Sequence, residues 1–433
     1  MKSALHLKFR LMVLALACAM LSSARADVQL TAPEDLVLAS LDVSGALVAS
    51  AGRDLSTSGS NVVTGNGLLS VGRDAVIGDL TIGNQLDLTT GRQLSVVGLL
   101  VSGATTTLSA GEGLQLGGTL LTGTALTVTV AGSATSSGAV VSVGSHASLS
   151  IGSALAFSGA ITTGQSFSVL AGTNASFTGT AVVSATASLI SAGTDLAFDG
   201  SLQAGTGFGA SAANNLHLAG DIKTGSGAEL TAGSALTLGA ATFEGGVTAT
   251  GGTDLAVVGP VGTDGLATLQ AGSELSVEAD MDVGGTLVLT AGTKAQIAGT
   301  VHGNRLALSA EELEFLIDTP SVYGTFQVDD VANFAVANGI VVSFASGFGF
   351  VDGQVFELIV ADALSGVTAS QFSIENLDPL FGYTLAVADD SVRLSLFSRD
   401  AGRLPEPGVP SLLLLASAAL LWSRRRAAHH GQT

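Results

Sequence analysis

A phrase of about twenty residues recurs along most of the chain. Each copy begins with a Leu, a small residue and Ala-Gly. Two residues of any type then precede a Leu, and a second Leu follows after one more residue. The plainest copy lies in Leu230–Gly252. Taking the Gly of Ala-Gly as an anchor, the steps are 19, 20 or 21 residues, and Ala213 fills one slot. The anchors are Gly52, Gly72, Gly91, Gly111, Gly132, Gly152, Gly172, Gly193, Gly233, Gly252, Gly272 and Gly292. A fixed period in this range predicts a solenoid.

Apolar residues occupy two fixed places after each anchor. Five residues after it lie Ile77, Val96, Leu116, Phe157, Phe177, Phe198, Leu218, Leu238, Val257, Val277 and Ile297, and only Thr57 and Ser137 differ. Three residues after it lie Leu55, Leu94, Leu114, Leu155, Leu196, Leu216, Leu236, Leu255 and Leu275. Apolar residues two apart, with a small polar residue between them, predict strands rather than helices.

Further glycines divide each copy into three parts. One set lies seven residues after the anchor, as at Gly118, Gly159, Gly200 and Gly259, and another lies twelve after it, as at Gly103, Gly123, Gly164 and Gly205. Glycine allows the left-handed or bulged backbone of a tight corner, so three short strands per coil are expected. Stacked coils bury an apolar face that one coil cannot bury alone. The predicted fold is an all-β parallel β-helix, of either hand, with about 13 coils and a length of roughly 60 Å.

The repeat stops near Ala310, where Glu311–Thr319 carries four acids and no Ala-Gly. We therefore expect a β-helix domain over residues 27–310 and a terminal β cap over residues 311–400. A cap is expected because an open solenoid end exposes unpaired strand edges that invite aggregation. The strand candidates in this region are Gly339–Phe344, Val355–Val360, Tyr383–Val387 and Val392–Phe397.

Residues 1–26 have the pattern of a secretory signal peptide. A basic start precedes the apolar run Leu11–Leu21, and small residues at Ala24 and Ala26 form the expected cleavage site. An uncleaved anchor or a lipoprotein signal at Cys18 are the alternatives.

Residues 401–433 form a Pro-stiffened linker, a short apolar segment and a basic stop. The linker holds Pro405, Glu406 and Pro407, the apolar segment ends at Trp422, and Arg424, Arg425 and Arg426 follow. Fourteen to sixteen helical residues rise roughly 21–24 Å, which is shorter than the usual membrane core. The arginines are expected to keep the C-terminus in the cytoplasm.

This tail resembles the PEP-CTERM sorting signal of Gram-negative bacteria. The resemblance implies recognition by an exosortase-type membrane protease, with Pro405, Glu406 and Pro407 as the motif and Arg424–Arg426 as the stop signal. It also implies a transient inner-membrane intermediate, followed by a place on the cell surface or in the extracellular polysaccharide or biofilm matrix. A plain C-terminal transmembrane anchor is the alternative.

The body of the chain carries looser resemblances. The coils are similar to filamentous-haemagglutinin-like repeats. The segment Gly353–Ala361, followed by Gly366, Phe372 and the final Tyr-Thr-Leu-Ala-Val, resembles the region that ends many autotransporter-type passengers.

Charge and cysteine content narrow the function further. The formal net charge of the whole chain is -19. Between Asp27 and Ser423, nine Lys or Arg residues face all 35 acids, so the exported body is near -26. Such a charge opposes binding to nucleic acid and anionic surfaces. The one cysteine, Cys18, lies in the leader, so zinc sites built on cysteine and redox motifs are excluded from the mature chain.

Little in the coils predicts catalysis. After Arg92 the repeat has only three basic residues, at Lys223, Lys294 and Arg305, and the three coil histidines, His146, His217 and His302, lie in different coils with no evident partner spacing. Glu278, Asp280 and Asp282 alternate on one strand and suggest Ca²⁺ only weakly, because a solvated acidic face has the same pattern. No Trp or Tyr between residues 27 and 310 offers a ring for stacking on sugars.

We therefore expect no catalytic residue, cofactor or metal site, and no enzymatic activity. The predicted function is that of an exported structural or adhesive surface protein, whose partners are the membrane protease and an exopolysaccharide or other surface proteins. The alternative is a carbohydrate-active β-helix enzyme, a polysaccharide lyase or hydrolase. A cluster of acids and a base on one exposed face of the rod would favour the alternative.

Overall fold

The computed structural model describes residues 26–399, which form 45 β-strands and one short 3₁₀ helix, Ala369–Gln371. The strands make a parallel β-solenoid of about 14 turns, so the predicted all-β fold is confirmed. Within residues 26–399 no helix is long and apolar enough to cross a membrane. The predicted leader and the whole sorting tail, with Pro405, Glu406, Pro407 and Arg424–Arg426, lie outside the described residues. Ala26, at the predicted cleavage site, is exposed at the start of the described chain.

The strands follow one another closely along the chain. The first part contains β1 Val28–Ala32, β2 Leu36–Ala39, β3 Asp42–Val43, β4 Leu47–Ala51, β5 Leu55–Ser58, β6 Asn61–Val63, β7 Gly67–Val71, β8 Ala75–Ile77, β9 Leu80–Ile82, β10 Leu86–Thr90, β11 Gln93–Val96, β12 Leu99–Ser102, β13 Thr106–Ala110, β14 Gly113–Leu116, β15 Thr119–Thr122, β16 Leu126–Val130, β17 Ser133–Ser136, β18 Ala139–Val143, β19 Ala147–Ile151, β20 Leu155–Phe157, β21 Gly159–Thr163 and β22 Phe167–Ala171. The middle contains β23 Ala175–Ser184, β24 Ser188–Ala192, β25 Leu196–Ala204, β26 Phe208–Ala212, β27 Leu216–Leu218, β28 Asp221–Thr224, β29 Ala228–Ala232, β30 Ala235–Leu238, β31 Ala241–Phe243, β32 Val247–Gly251, β33 Asp254–Val257, β34 Val261–Thr263, β35 Ala267–Ala271, β36 Glu274–Val277, β37 Met281–Ala291 and β38 Lys294–Ile297. The end contains β39 Thr300–Thr319, β40 Val322–Tyr323, β41 Thr325–Phe344, β42 Val355–Ser365, β43 Phe372–Glu375, β44 Phe381–Val387 and β45 Ser391–Ser398.

Each turn contributes one strand, or part of a longer one, to each of three faces. β29, β30 and β31 form one turn, and each pairs in parallel with its copy in the next turn, β32, β33 and β34. The first, second and third faces are named here in the order in which the chain enters them. The anchor ends the first face, and the predicted Leu positions lie on the second.

The core is the apolar ladder that the repeat predicts. Leu236, Leu255 and Leu275 stack in register on successive second-face strands, and each is at most 1% exposed. Phe157, Phe177 and Phe198 stack in the same way, with ring centroids 6.3 and 5.5 Å apart. Every residue named above at three or five places after an anchor is buried, except Ser137. The alternation of small outward residues with buried apolar ones therefore sets the strand register.

The anchor glycines are needed for a reason that differs from the prediction. None of them has a positive φ angle. Instead, a Cβ at Gly72 would lie 2.1 Å from the carbonyl oxygen of Gly52, and one at Gly252 would lie 2.0 Å from that of Gly233. Close approach of one corner to the next therefore explains the glycine column. A left-handed backbone does occur at the next corner, at Gly59 and Gly179, whose φ angles are 64° and 57°.

One predicted anchor is displaced by a residue. Ala131, not Gly132, fills the column, because its N–H donates to Ala110 and a Cβ at Gly152 would meet the Ala131 carbonyl oxygen at 2.1 Å. The residue five places on is then Ser136, which pairs with Leu116. The exception assigned to Ser137 is an effect of this one-residue shift.

The parallel ladder continues past Ala310, where the repeat in the sequence stops. Leu313 and Phe315 stack on Ala295 and Ile297. β41 then pairs in parallel with nearly the whole of β39. The spacing then changes, because a short antiparallel excursion, β40, and two bulges lengthen the turn between β39 and β41. The division of the chain at residue 310 stays a prediction, but it does not interrupt the pairing.

The final strands run antiparallel. β45 pairs with both β42 and β44, and all four strand candidates of this region fall within observed strands. A cluster of phenylalanine rings fills the space inside, with Phe344 and Phe348 centroids 5.0 Å apart. Phe344 also packs against Phe350 and Phe356. The described chain therefore ends in antiparallel pairing, unlike the parallel pairing of the coils, and a capping role for this region stays a prediction.

Candidate functional site

A shallow groove lies on the third face between β28 and β39. Its volume is about 660 Å³. It is lined by charged and polar side chains and by small residues in its floor. These are Asp221, Lys223, Thr242, Pro260, Gly262, Asp280, Asp282, Thr300 and His302. This set is called the third-face groove below.

The groove follows from the register of the coils. Lys223 stacks on Thr242 in the next turn, and Gly262 stacks on Asp282. A Cβ built on Gly262 meets no atom within 4 Å, so the floor is open there. Small outward residues in two successive turns thus leave a depression between charged residues in the turns on either side.

His302 lies at one end of the groove between two carboxylates. Its Nδ1 is 2.9 Å from Oδ1 of Asp282, and its Nε2 is 3.4 Å from Oδ1 of Asp329. The hydrogen bond with Asp282, helped by Asp329 and opposed by burial, raises the pKa of His302 above its usual value. The imidazole therefore connects its own turn to the turns before and after it and favours its charged form.

The prediction that His302 has no partner was wrong. Asp282 and His302 are 20 residues apart, which is one coil period, and they occupy the same outward slot. That spacing was visible in the sequence. Asp329 follows His302 by 27 residues because the next turn is enlarged, so the period does not reveal it.

The other charged groups of the groove are held separately. Lys223 Nζ is 3.4 Å from Asp221 Oδ2. Asp280 accepts a hydrogen bond from the backbone N–H of Thr300 at 2.9 Å. Glu278, which does not line the groove, accepts a hydrogen bond from Ser276. Across residues 26–399, no group of three or more His, Cys, Asp or Glu side chains could hold a metal ion.

The remaining coil histidines lie elsewhere. His217 is exposed on β27, between Ala197 and Thr237 of the neighbouring turns. His146 contacts Ser166 at 2.8 Å on a corner. Neither contributes to the third-face groove.

A second charged feature follows the anchor column near the N-terminal end. Arg53, Arg73 and Arg92 each occupy the place after an anchor. Arg73 Nε is 3.4 Å from Asp54, and Arg92 Nε is 3.7 Å from Asp74. All of these side chains are at least 30% exposed, so each pair contributes about 0–1 kcal/mol. The ladder locks corners together and leaves no free cationic patch.

A third feature is a partly buried ion pair on the second face. Lys294 Nζ is 2.7 Å from Glu314 Oε2, and Gln296 donates to the same oxygen at 2.7 Å. Burial works to raise the pKa of Glu314, but hydrogen bonding, led by the bond from Lys294, and the positive charge of Lys294 outweigh it and leave the pKa lowered. The pKa of Lys294 is raised, chiefly by its hydrogen bond to Glu314. This cluster holds the enlarged turn to the regular coils.

Comparison with known proteins identifies no relative: no family model, no curated protein and no solved structure matches the chain.

Proposed function

We propose that the chain is an exported, exosortase-processed structural or adhesive surface protein associated with an extracellular polysaccharide matrix. The observation that carries the proposal is the order of the C-terminal features: Pro405-Glu406-Pro407, a short apolar segment and Arg424–Arg426. The apolar segment is short for a permanent anchor, and the arginines delay its passage through the membrane. The paired prolines keep the cleavage segment extended.

The form of the body supports a mechanical or adhesive role. A solenoid distributes its stability over contacts between neighbouring turns and presents long regular faces. Cleavage at the tail would release a cysteine-free acidic rod, which needs no disulfide chemistry outside the cell. The inner membrane is then a transient location and the surface or matrix the final one.

The experiment compares wild type with a variant in which Pro405-Glu406-Pro407 becomes Ala-Ala-Ala. The expected result is an uncut form of the variant in the inner membrane and a shortened wild type in the surface fraction. The control changes the adjacent Gly408-Val409-Pro410 to Ala-Ala-Ala, which keeps the motif and should leave sorting unchanged. Mass spectrometry of the surface protein decides the matter, because a mature C-terminus at Thr433 contradicts the proposal.

A second candidate function has one observation in its favour. The acids and base that would favour a carbohydrate-active enzyme do meet on one exposed face, at Asp280, Asp282 and His302. Glycoside hydrolysis, however, needs a carboxylic acid that stays protonated beside a second carboxylate. Asp282 is 80% exposed, and its hydrogen-bond partner is His302 rather than a second carboxylate. Binding without cleavage is therefore the function this geometry supports better.

Incubation of the purified surface protein with neutral and uronate polysaccharides tests the second candidate. We expect no release of oligosaccharides and no binding of nucleic acid, because the body is strongly acidic. Reproducible release that Asp282→Asn abolishes and Asp199→Asn preserves would establish an enzyme instead.

A further inference from the structure

We infer that the third-face groove binds a linear polysaccharide that carries free amino groups, such as a glucosamine polymer. The inference rests on the proposed function, since it names the class of matrix glycan that the rod would hold. It does not depend on how the tail is processed.

The shape of the groove suits an extended chain. From Lys223 to Asp282 the outward slot advances three turns, through Thr242 and Gly262, which is about 14 Å at the usual strand spacing. The depression runs along the axis of the rod, with Lys223 at one end and Asp282 and His302 at the other. Gly262 leaves room for a sugar ring against the backbone, and the exposed ring of Pro260 adds an apolar surface beside it.

The charges of the groove select a cationic ligand. Three carboxylates, of Asp221, Asp280 and Asp282, line the groove with one lysine, which gives a net charge of -2, or -1 when His302 is protonated. An ammonium group donates strong charge-assisted hydrogen bonds to carboxylates. A uronate chain would instead meet like charges, which weakens binding.

The hydroxyl groups of a sugar chain also find partners here. Thr242 lies between Lys223 and Asp282, Thr300 lies beside Asp280 in the next turn, and Lys223 can donate to a hydroxyl or ring oxygen. His302 fixes one oxygen of Asp282, so this carboxylate is oriented before a ligand arrives. The arrangement therefore provides carboxylate acceptors at the two ends and one hydroxyl group, that of Thr242, between them.

A basic peptide is the other cationic ligand to consider, and the groove suits it less well. The third-face strands are paired on both sides by neighbouring turns, so no strand edge is free to pair with a peptide backbone. The groove also lacks separate pockets for alternate side chains. An amino-glycan needs neither feature.

The experiment measures binding of a glucosamine hexamer to the intact surface protein by isothermal titration calorimetry. Three matched probes are compared with it: the N-acetylglucosamine hexamer, a galacturonate hexamer and hexalysine. We expect binding of the glucosamine hexamer, at least tenfold weaker binding of the acetylated one, and no binding of the galacturonate. Hexalysine should bind more weakly than the glucosamine hexamer and without dependence on the groove.

Two variants test the location. Gly262→Leu fills the open floor and should weaken binding of the glucosamine hexamer at least tenfold. Its control is Thr135→Leu, an outward change on the second face, which should have no effect. Asp282→Asn should weaken binding severalfold, whereas Asp199→Asn, at an exposed acid outside the groove, should not. Unchanged melting temperatures show that the variants are folded.

The outcomes separate the inference from the proposed function. If the protein binds amino-glycan equally in all variants, or binds hexalysine with the same variant dependence, the third-face groove is not a glycan site. Failure to bind any of the probes also overturns the inference. In each case tail cleavage and matrix location can still be found, so the proposed function would stand.

Discussion

Replacing the anchor Gly252 with alanine tests why the glycine column exists. The added Cβ would lie 2.0 Å from the carbonyl oxygen of Gly233 and 2.7 Å from its carbonyl carbon. Real contacts of this kind are about 3 Å or longer, so the two corners must separate by roughly 1 Å. The bonds at risk are Gly252 N–H to Ala232 and Thr253 N–H to Ser234, both 2.9 Å.

The magnitude follows from these two bonds. Each backbone hydrogen bond contributes about 0.5–1.5 kcal/mol, so their loss destabilises the stack by about 1–3 kcal/mol. Alanine also lowers the conformational entropy of the unfolded chain, which stabilises the folded state by about 0.4–1 kcal/mol. The chain tolerates alanine elsewhere in the column: the N–H of Ala213 donates to Ala192 at 3.3 Å, a longer bond than that of Gly252. A net loss of about 1–2 kcal/mol is therefore expected.

Gly262→Ala is the matched control, because its Cβ meets nothing within 4 Å. This variant should be neutral or slightly more stable. Urea unfolding gives the free energies, and hydrogen exchange at Thr253 reports the local effect even if the solenoid does not unfold in one step. Equal stability of the two variants would refute the close-approach explanation. The glycine column would then be explained by the backbone conformation of the corner.

Three further predictions concern the core and the charged clusters. Leu238→Asp should cost more than the roughly 2–5 kcal/mol of a large-to-small core change, whereas Thr237→Asp, one residue away and partly exposed, should be mild; equal melting shifts would contradict the register. Glu314→Gln should lower the free energy of unfolding by about 1 kcal/mol above the ordinary carboxyl pKa. This stabilisation of the wild type is lost as pH falls through the lowered pKa of the folded state, so the two proteins should have the same stability in acid denaturation. His302 has a raised pKa, so its pairing stabilises the fold below the ordinary histidine pKa and is lost as pH rises through the raised value; Asp282→Asn should bring that pKa back toward the ordinary value in an NMR titration.

The regular coils could be predicted from the sequence because one rule acts on every turn. A residue such as Leu236 must stack on Leu255, so apolar identity, spacing and register are constrained together. The alternation then decides which side of each strand is buried. Local preference and long-range contact agree in such a fold, and simple reading of the repeat is enough.

Prediction failed where a turn departs from the common length. Ala131 and Gly132 form an Ala-Gly pair, and either residue could be the anchor. The sequence pattern favours Gly132, whereas the structure places Ala131 in the anchor column. Beyond Ala310 the backbone keeps its parallel pairing while bulges and the β40 excursion change the number of residues per turn. Hydrogen bonding between neighbouring strands fixes where each strand lies. It does not fix the number of residues in the connection, which must only be long enough to bring the chain to the next strand position.

The candidate site was missed for the same physical reason. Residues that are close in sequence do not form it, because in a solenoid the neighbours of a side chain lie one coil before and one coil after it. Asp282 and His302 fulfil that condition at a separation of 20 residues. Gly262 occupies the same outward position one coil before Asp282. Because glycine has no side chain, it leaves an open space in this column of residues, and that space is the groove. A sequence of this kind should therefore be searched down its outward columns, where small residues between charged ones mark the places that a ligand can enter.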